Sequence, residues 1–295
     1  MQKSKQRQDP PWTILNILQW TADYFASHGV DSPRTAAEIL LADVLDLRRL
    51  DLYLHYDQPL EGEELRSFKK AIRRRIQREP VAYITGRSEF WSLELSVSPA
   101  VLIPRPETEC LVEAALALIP AADSKTILEP GTGSGAIALV LARERPLVSI
   151  LATDTSTAAL EIAGRNIRHH GMEARIQLLE GKWFEPLNTG SLFDMIVSNP
   201  PYIPTGDIPG LQPEVARYEP RRALDGGDDG LAAIRHLVES AYRYLNPRGY
   251  LLMEIGFDQS AAVKALVHTA DQYMDFTVHK DYSGLDRVVQ MRKKG

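Results

Sequence analysis

From Lys125 to the C-terminus, short apolar runs alternate with stretches of helical period, and that alternation admits few architectures. It predicts strands at 126–129, 148–154, 175–180, 193–199, 250–255, 276–280 and 287–292. It predicts helices at 135–145, 157–170, 231–245 and 259–269. Runs such as Met195-Ile196-Val197 and Tyr250-Leu251-Leu252-Met253 suit strands covered by helices on both faces. The fold class expected is therefore α/β, with a doubly wound, seven-stranded sheet. No helix separates the last two strands, so an antiparallel addition is expected at one edge.

The N-terminal part has a different texture. Ile14, Ile17, Leu18, Thr21 and Phe25 share one helical face, with Thr13 as its cap. Ser32-Pro33 reads as an N-cap and first helical residue, and a third helix is expected over 63–79, ended by Pro80. Residues 1–85 are thus expected to form a small helical bundle. Residues 86–106 read as a connector with a short hairpin over 89–97, and 107–295 as the α/β domain.

The strand at 126–129 runs into Gly131-Thr132-Gly133-Ser134-Gly135 and then a helix. Glycines there permit a tight turn and let a ligand approach the backbone at the sheet edge. The spacing is neither the dinucleotide fingerprint nor a phosphate loop with its Lys-Ser/Thr. Asp154 ends the next strand, where a carboxylate can accept both hydroxyls of a ribose. No basic residue adjoins it to neutralise a 2′-phosphate. Loop and carboxylate together fit a nucleoside with a small zwitterionic tail, S-adenosylmethionine, better than NAD.

The strand at 193–199 ends in Asn199-Pro200-Pro201-Tyr202. Two consecutive prolines cannot continue a ladder, so the chain is held rigid at the edge where the glycine loop opens. The Asn199 side chain and the Pro200 carbonyl offer two fixed acceptors for the two hydrogens of a planar –NH2 group. An amide or exocyclic amine is a poor nucleophile, and orienting its N–H bonds turns its nitrogen toward an electrophilic methyl. Tyr202 is read as a ring wall for the planar group.

Composition excludes other classes. The 295 residues are 44% hydrophobic and 25% charged, as in ordinary globular proteins, with no run near the ~18 apolar residues of a membrane span. A single cysteine, Cys110, excludes an internal disulfide framework, and the histidines show no ligand spacing, so no metal is expected. The polar residues 1–10 read as a frayed leader rather than a secretory signal, which makes the cytoplasm the default. A net charge of −5 argues against a protein that coats nucleic acid.

At these residues the chain resembles the PrmC/HemK family of peptide chain release factor N5-glutamine methyltransferases. The likeness covers nearly the whole chain, including PVAYITGRSEF from Pro80, LIPRPETE from Leu102, GTGSGAIAL from Gly131, SNPPYI from Ser198, YEPRRAL from Tyr218 and DYSGLDRVV from Asp281. The NPPY tetrapeptide is shared with DNA adenine methyltransferases; the helical N-terminal part followed by PRPETE makes the match specific. The resemblance implies a Rossmann-like methyltransferase sheet. It implies that Gly131, Thr132, Gly133, Ser134 and Gly135 surround the methionine part of S-adenosylmethionine, that Glu129 meets its ammonium, that Asp154 holds the ribose and that Trp183 packs on adenine. It implies that Asn199, Pro200, Pro201 and Tyr202 bind the glutamine of a Gly-Gly-Gln loop, with Asn199 and Pro200 catalytic and Asn199 also bordering the cofactor. The helical bundle would grip a class 1 release factor; no direct nucleic-acid contact, no membrane contact and a monomer are expected. The alternative is an adenine N6 methyltransferase. Two departures stand out: the family's usual Asp-Leu before the glycine loop is Glu129-Pro130, and its common aspartate before Trp183 is Lys182.

Overall fold

In the computed structural model, which describes residues 12–295, the chain divides into two units, one ending at Thr85 and the other beginning at Gly86. The leader expected over residues 1–10 lies outside the described residues.

The first unit opens with α1 (Ile14–Ser27), whose first turn is capped by the Thr13 hydroxyl accepting from the Asn16 amide. Its buried face is Ile14, Ile17, Leu18, Thr21 and Phe25, the residues the periodicity picks out. The second helix, α2 (Pro33–Leu45), has proline in its first turn, but Ser32 does not cap it with its side chain. Ser32 sits at φ 48°, in the left-handed region, whereas a capping side chain reaches back to the helix from extended backbone. A short helix, α3 (Asp51–Leu54), follows, then α4 (Gly62–Ile76) and α5 (Val81–Thr85). A capping box starts α4: the Glu64 carboxylate accepts from the Glu61 amide at 2.6 Å. The interior gathers Phe25, Leu40, Leu41 and Phe68. Arg66, Lys69, Lys70 and Arg73 lie along α4 away from that interior, while Arg74 pairs with Glu79 at 2.6 Å and Arg75 is buried.

The second unit begins with the hairpin β1 (Arg87–Phe90) and β2 (Leu93–Ser96). Helix α6 (Glu109–Ala117) precedes β3 (Thr126–Pro130), α7 (Ala136–Glu144), β4 (Ser149–Asp154), α8 (Thr157–His169), β5 (Ile176–Glu180) and β6 (Phe193–Ser198). Then come α9 (Pro213–Tyr218), α10 (Ala232–Ser240), β7 (Leu245–Glu254), α11 (Ser260–Ala270), β8 (Tyr273–Lys280) and β9 (Asp286–Lys293). The seven-stranded sheet has the order β5-β4-β3-β6-β7-β9-β8; β5 through β7 are parallel and β9 is antiparallel to both neighbours. The antiparallel strand is thus inserted next to the edge, and β8 closes it.

Strand β7 starts five residues before its predicted beginning at 250, even though Pro247 cannot donate to a ladder. A register break accommodates it: Phe193 faces Leu245 but Met195 faces Tyr250, so residues 246–249 bulge, with Arg248 at φ 64°. The helices cover both faces. Ile127, Met195 and Val197 pack into one core layer with α7, and Leu128 and Ile196 into the other with α10.

The hairpin is part of this core, since Phe90, Leu93 and Leu95 pack in the same layer as Ile127 and Leu139. One fully buried amide ties it to the glycine loop. Asn166 of α8 accepts from the Ser96 amide at 2.7 Å, and its Nδ2 donates to the carbonyls of Ser96 at 3.0 Å and Ser134 at 2.9 Å. Asn166→Ala leaves three backbone groups without the partner that a buried side chain supplies. A loss on the order of 3 kcal/mol is expected in urea unfolding; an unchanged midpoint would contradict the tie.

Candidate active site

The strand order reverses at β3, which pairs in parallel with β4 on one side and β6 on the other. In open α/β sheets the crevice at the carboxyl ends of two such strands is where ligands bind. The glycine loop leaves β3 there, and residues 199–202 leave β6 beside it. The two exits are joined by a buried hydrogen bond, from Ser198 Oγ to the Pro130 carbonyl at 2.7 Å.

The loop after β3 is pinned at its start by two amides, Gly131 and Thr132, which both donate to the Thr153 carbonyl at 2.8 and 3.0 Å. Gly131, Gly133 and Gly135 all take positive φ, at 77°, 57° and 81°. Gly135 also meets α8 closely: a Cβ there would lie 3.3 Å from that of Ala163. A side chain at this position is disfavoured by both the backbone angle and the helix packing.

Beneath the loop, Glu129 is buried, and its Oε2 accepts from the Thr132 hydroxyl at 2.8 Å and the Ala138 amide at 3.1 Å. Burial pushes its carboxyl up to about 8; the two donors pull the other way, and Asp154 adds to the rise. Asp154, at the end of β4, accepts from the Gly133 amide and from the Ser156 amide, each at 2.9 Å. Ser156, not Asp154, caps α8, through its hydroxyl and the Ala159 amide. Trp183 follows β5 at φ 51°, its carbonyl held by the Thr153 hydroxyl at 3.0 Å and its ring 3.6 Å from where a Cβ on Gly131 would stand.

Asn199 donates from Nδ2 to the Thr108 hydroxyl at 3.1 Å, which leaves Oδ1 as its acceptor. Tyr202 turns its phenol into the protein, where it donates to Glu254 Oε1 at 3.0 Å. Its own carbonyl accepts from Gln259 Nε2 at 2.9 Å. Burial, then Glu254, push the Tyr202 hydroxyl well above its usual range.

A cavity of about 300 Å³ lies between the two loops, the size of a small-ligand site. Of the residues singled out in the sequence, Glu129, Gly131, Thr132, Gly133, Ser134, Asp154, Trp183, Asn199 and Pro201 line it; Gly135, Pro200 and Tyr202 are not on its walls. Lys182 is on the wall and exposed. Other wall residues carry no site role in the sequence patterns: Thr108, Arg105 and Arg222. Arg105 pairs with Glu219, which is buried, also accepts from the Ile103 amide at 3.3 Å, and has its carboxyl pushed up by that burial. The signal for them lay in PRPETE and YEPRRAL, two motifs far apart in the chain that this ion pair brings together.

Chemically, the cavity offers an acidic floor for a cation, a carboxylate at a strand end for hydroxyls, an indole, and an amide oxygen to accept N–H. Among the described residues, no histidine or cysteine lines it. These groups can bind and orient a ligand.

Comparison with known proteins bears on the lineage of the chain. Residues 16–86 match the PrmC N-terminal domain, and residues 108–208 match the methyltransferase small domain. A release factor glutamine methyltransferase of Geobacter sulfurreducens is 46% identical over 94% of this chain and 96% of its own. One from Moorella thermoacetica is 47% identical over 93% of this chain and 96% of its own. Among solved structures, a T. thermophilus 16S rRNA N2 G1207 methyltransferase in complex with AdoMet and guanosine superposes with a TM-score of 0.51. That match is 18% identical and covers 70% of this chain and 50% of that one, a likeness of fold. Identity at this level over almost the full length of both curated relatives settles the lineage: the chain belongs to the family of release factor glutamine methyltransferases.

Proposed function

We propose that this protein methylates the side-chain amide nitrogen (N5) of the glutamine in the Gly-Gly-Gln motif of class 1 peptide chain release factors, with S-adenosylmethionine as donor. The observation that carries this reading is Asn199: it shares one cavity with the glycine loop, and its amide nitrogen is committed to Thr108, so its oxygen is available as an acceptor. The relatives' function favours a glutamine over an adenine amine as the acceptor of the methyl.

The residues present fit the donor. A buried carboxyl with one oxygen unengaged suits the ammonium, and Gly133 has open space where a Cβ would stand. Glu129 would hold the ammonium, with Gly131, Thr132, Gly133, Ser134 and Gly135 around the methionine chain. Asp154 would hold the ribose and Trp183 the adenine. Bound there, S-adenosylmethionine supplies an electrophilic methyl on a sulfonium. Asn199 Oδ1, on the cavity wall, would accept one amide N–H of the glutamine and the Pro200 carbonyl, set just off that wall, the other, within the turn that Pro201 and Tyr202 complete. That grip orients the nitrogen and stabilises the positive charge that grows on it. The proton lost by the product nitrogen goes to water. The helical unit ending at Thr85 grips the release factor. The protein works as a monomer in the cytoplasm, without direct nucleic-acid contact.

Transfer from labelled donor to a release factor, mapped by mass spectrometry, should place the methyl on the Gly-Gly-Gln glutamine; label on another residue would sink the substrate assignment. Asn199→Ala should lower kcat roughly 10²-fold while donor affinity stays within a few-fold. Unchanged turnover would remove Asn199 from the mechanism.

Glu129 makes donor binding depend on pH. Its carboxyl is protonated below about 8 in the free protein, and only the ionised form balances an ammonium. Binding at pH 7 must therefore release a proton, and affinity should fall on acidification by up to about tenfold per pH unit. Above about pH 8 affinity should fall again as the donor's own amine loses its charge. Calorimetry in buffers of different ionisation enthalpy should find about one proton released at pH 7 by the wild type and none by Glu129→Gln; equal release by both would exclude Glu129 as the partner.

A further inference from the structure

Behind the 199–202 turn, on the side away from the cavity, lies a buried carboxyl to which the chemistry above gives no task. Glu254 is 1% exposed at the carboxyl end of β7, the strand that pairs with β6 on the side opposite β3. Its Oε1 accepts the Tyr202 phenol at 3.0 Å, and its Oε2 has no hydrogen-bond partner among the described residues.

A second leftover group stands beside it. Thr108, itself buried, has accepted from Asn199 and still has its own proton to place. After burial, which pushes the Glu254 carboxyl up, the Thr108 hydroxyl is the strongest influence favouring its charged form, ahead of Tyr202 and Arg287. The Thr108 hydroxyl is thus a nearby donor for a carboxyl oxygen that the other contacts leave open.

Arg287 also acts on this carboxyl through its charge, and is itself held in place. Arg287 donates from Nε and Nη2 to Asp281 Oδ2 at 3.2 and 3.1 Å, and Asp281 also accepts from the Ser283 and Leu285 amides. These two residues belong to DYSGLDRVV, a motif the reaction chemistry leaves without a role. Gly230, just before α10, approaches the same turn so closely that a Cβ would lie 2.5 Å from the Tyr202 carbonyl oxygen.

We infer that Glu254 is a positioning residue of the reaction: one buried carboxylate holds both ends of the glutamine-binding turn, Tyr202 directly and Asn199 through Thr108. The inference deepens, and rests on, the glutamine-binding role proposed for that turn. In its ionised form the group only accepts hydrogen bonds, so both neighbours must then act as donors. Thr108 is then free to accept only from Asn199, which fixes the Asn199 amide with its oxygen outward. A glutamine at 254 puts an –NH2 where the carboxylate has an oxygen, so one neighbour must accept instead of donate and its own hydroxyl proton loses its acceptor.

Two measurements test this, one of which needs no substrate. Glu254→Gln and Tyr202→Phe should each speed hydrogen–deuterium exchange severalfold in the peptide covering 199–205, with exchange over 131–145 unchanged. Against a release factor, Glu254→Gln should lower kcat at least tenfold with donor affinity within twofold of wild type. Thr108→Val should lower it comparably, and the double variant should fall no further than the worse single one, because both act on Asn199 by one route. Unchanged exchange over 199–205 in both single variants overturns the inference, as does wild-type turnover by Glu254→Gln. So do multiplicative losses in the double variant. If Glu254→Gln does not fold, Tyr202→Phe and Thr108→Val, which each remove one hydroxyl, decide the question through exchange and kcat. A wild type that binds the donor but leaves release factor unmodified defeats the proposed function instead, and the exchange result still decides the role of Glu254.

Discussion

The parallel pairing of β3 with β6 is the contact on which the site depends. Its register sets Ile127 beside Met195 and Leu128 beside Ile196, and alternate residues enter opposite core layers. A slip of one residue would exchange the layers and turn every side chain to the other face. It would also separate Ser198 from the Pro130 carbonyl, the bond that fixes the exit of one loop against the exit of the other. The glycine loop and the 199–202 turn are distant in sequence and are brought side by side by this pair of strands.

Around that pair the protein buries three glutamates, each delivered by a different segment. Glu129 comes from β3, Glu219 from the chain after α9 and Glu254 from β7, and burial pushes all three carboxyls up. A carboxyl out of water is costly unless something compensates it, and each has a different compensation. Glu219 has a guanidinium, Arg105. Glu254 has a phenol, a nearby hydroxyl and the positive charge of Arg287. Glu129 has only neutral donors on one oxygen, so it is the one whose charge must wait for a cationic ligand. Perturbed carboxyls of this kind concentrate where a protein does chemistry, because a fold selected for stability alone would have removed them.

What the sequence disclosed and what it withheld divide along the range of the interactions. Strand alternation, the glycine loop, Asp154 at a strand end and the double proline are local patterns, and each stands near its expected place. The buried face of α1 is likewise local: five residues at helical spacing, all buried. Ser32 shows the limit even of local reading, since Ser-Pro suits a cap but the left-handed backbone at Ser32 carries its hydroxyl away from the helix. Helix α6 escaped because its apolar residues are not confined to one face; Leu111, Val112, Ala114 and Ala115 are all buried, so no amphipathic period marks it. The partners that orient the site were invisible for a different reason. Thr108 and Asn199 are 91 residues apart, Tyr202 and Glu254 are 52 apart, and Arg105 and Glu219 are 114 apart. No spacing rule along a chain anticipates a contact made by the sheet. Tyr202 belongs here too: its position beside two prolines suggests a ring facing the ligand, and only the location of Glu254 shows its hydroxyl engaged behind the turn.

The departure at Glu129-Pro130 follows from the same geometry. Proline in a central strand removes a ladder donor, and here it falls at the last residue of β3, where the parallel ladder to β6 has already ended two residues earlier. On the β4 side the amides of Gly131 and Thr132 both reach the Thr153 carbonyl, so the backbone just beyond the proline supplies the missing connection. On the β6 side the Pro130 carbonyl takes the Ser198 hydroxyl. The proline therefore leaves no backbone group of its own unpaired, and its fixed φ stiffens the point where the loop departs. The longer side chain before it is accommodated in turn. Glu129 reaches under the loop to the first turn of α7, where Ala138 offers an amide that the start of a helix leaves without an intrahelical partner. The extra methylene is absorbed by that anchor, which holds one carboxyl oxygen beneath the loop and leaves the other for the cavity.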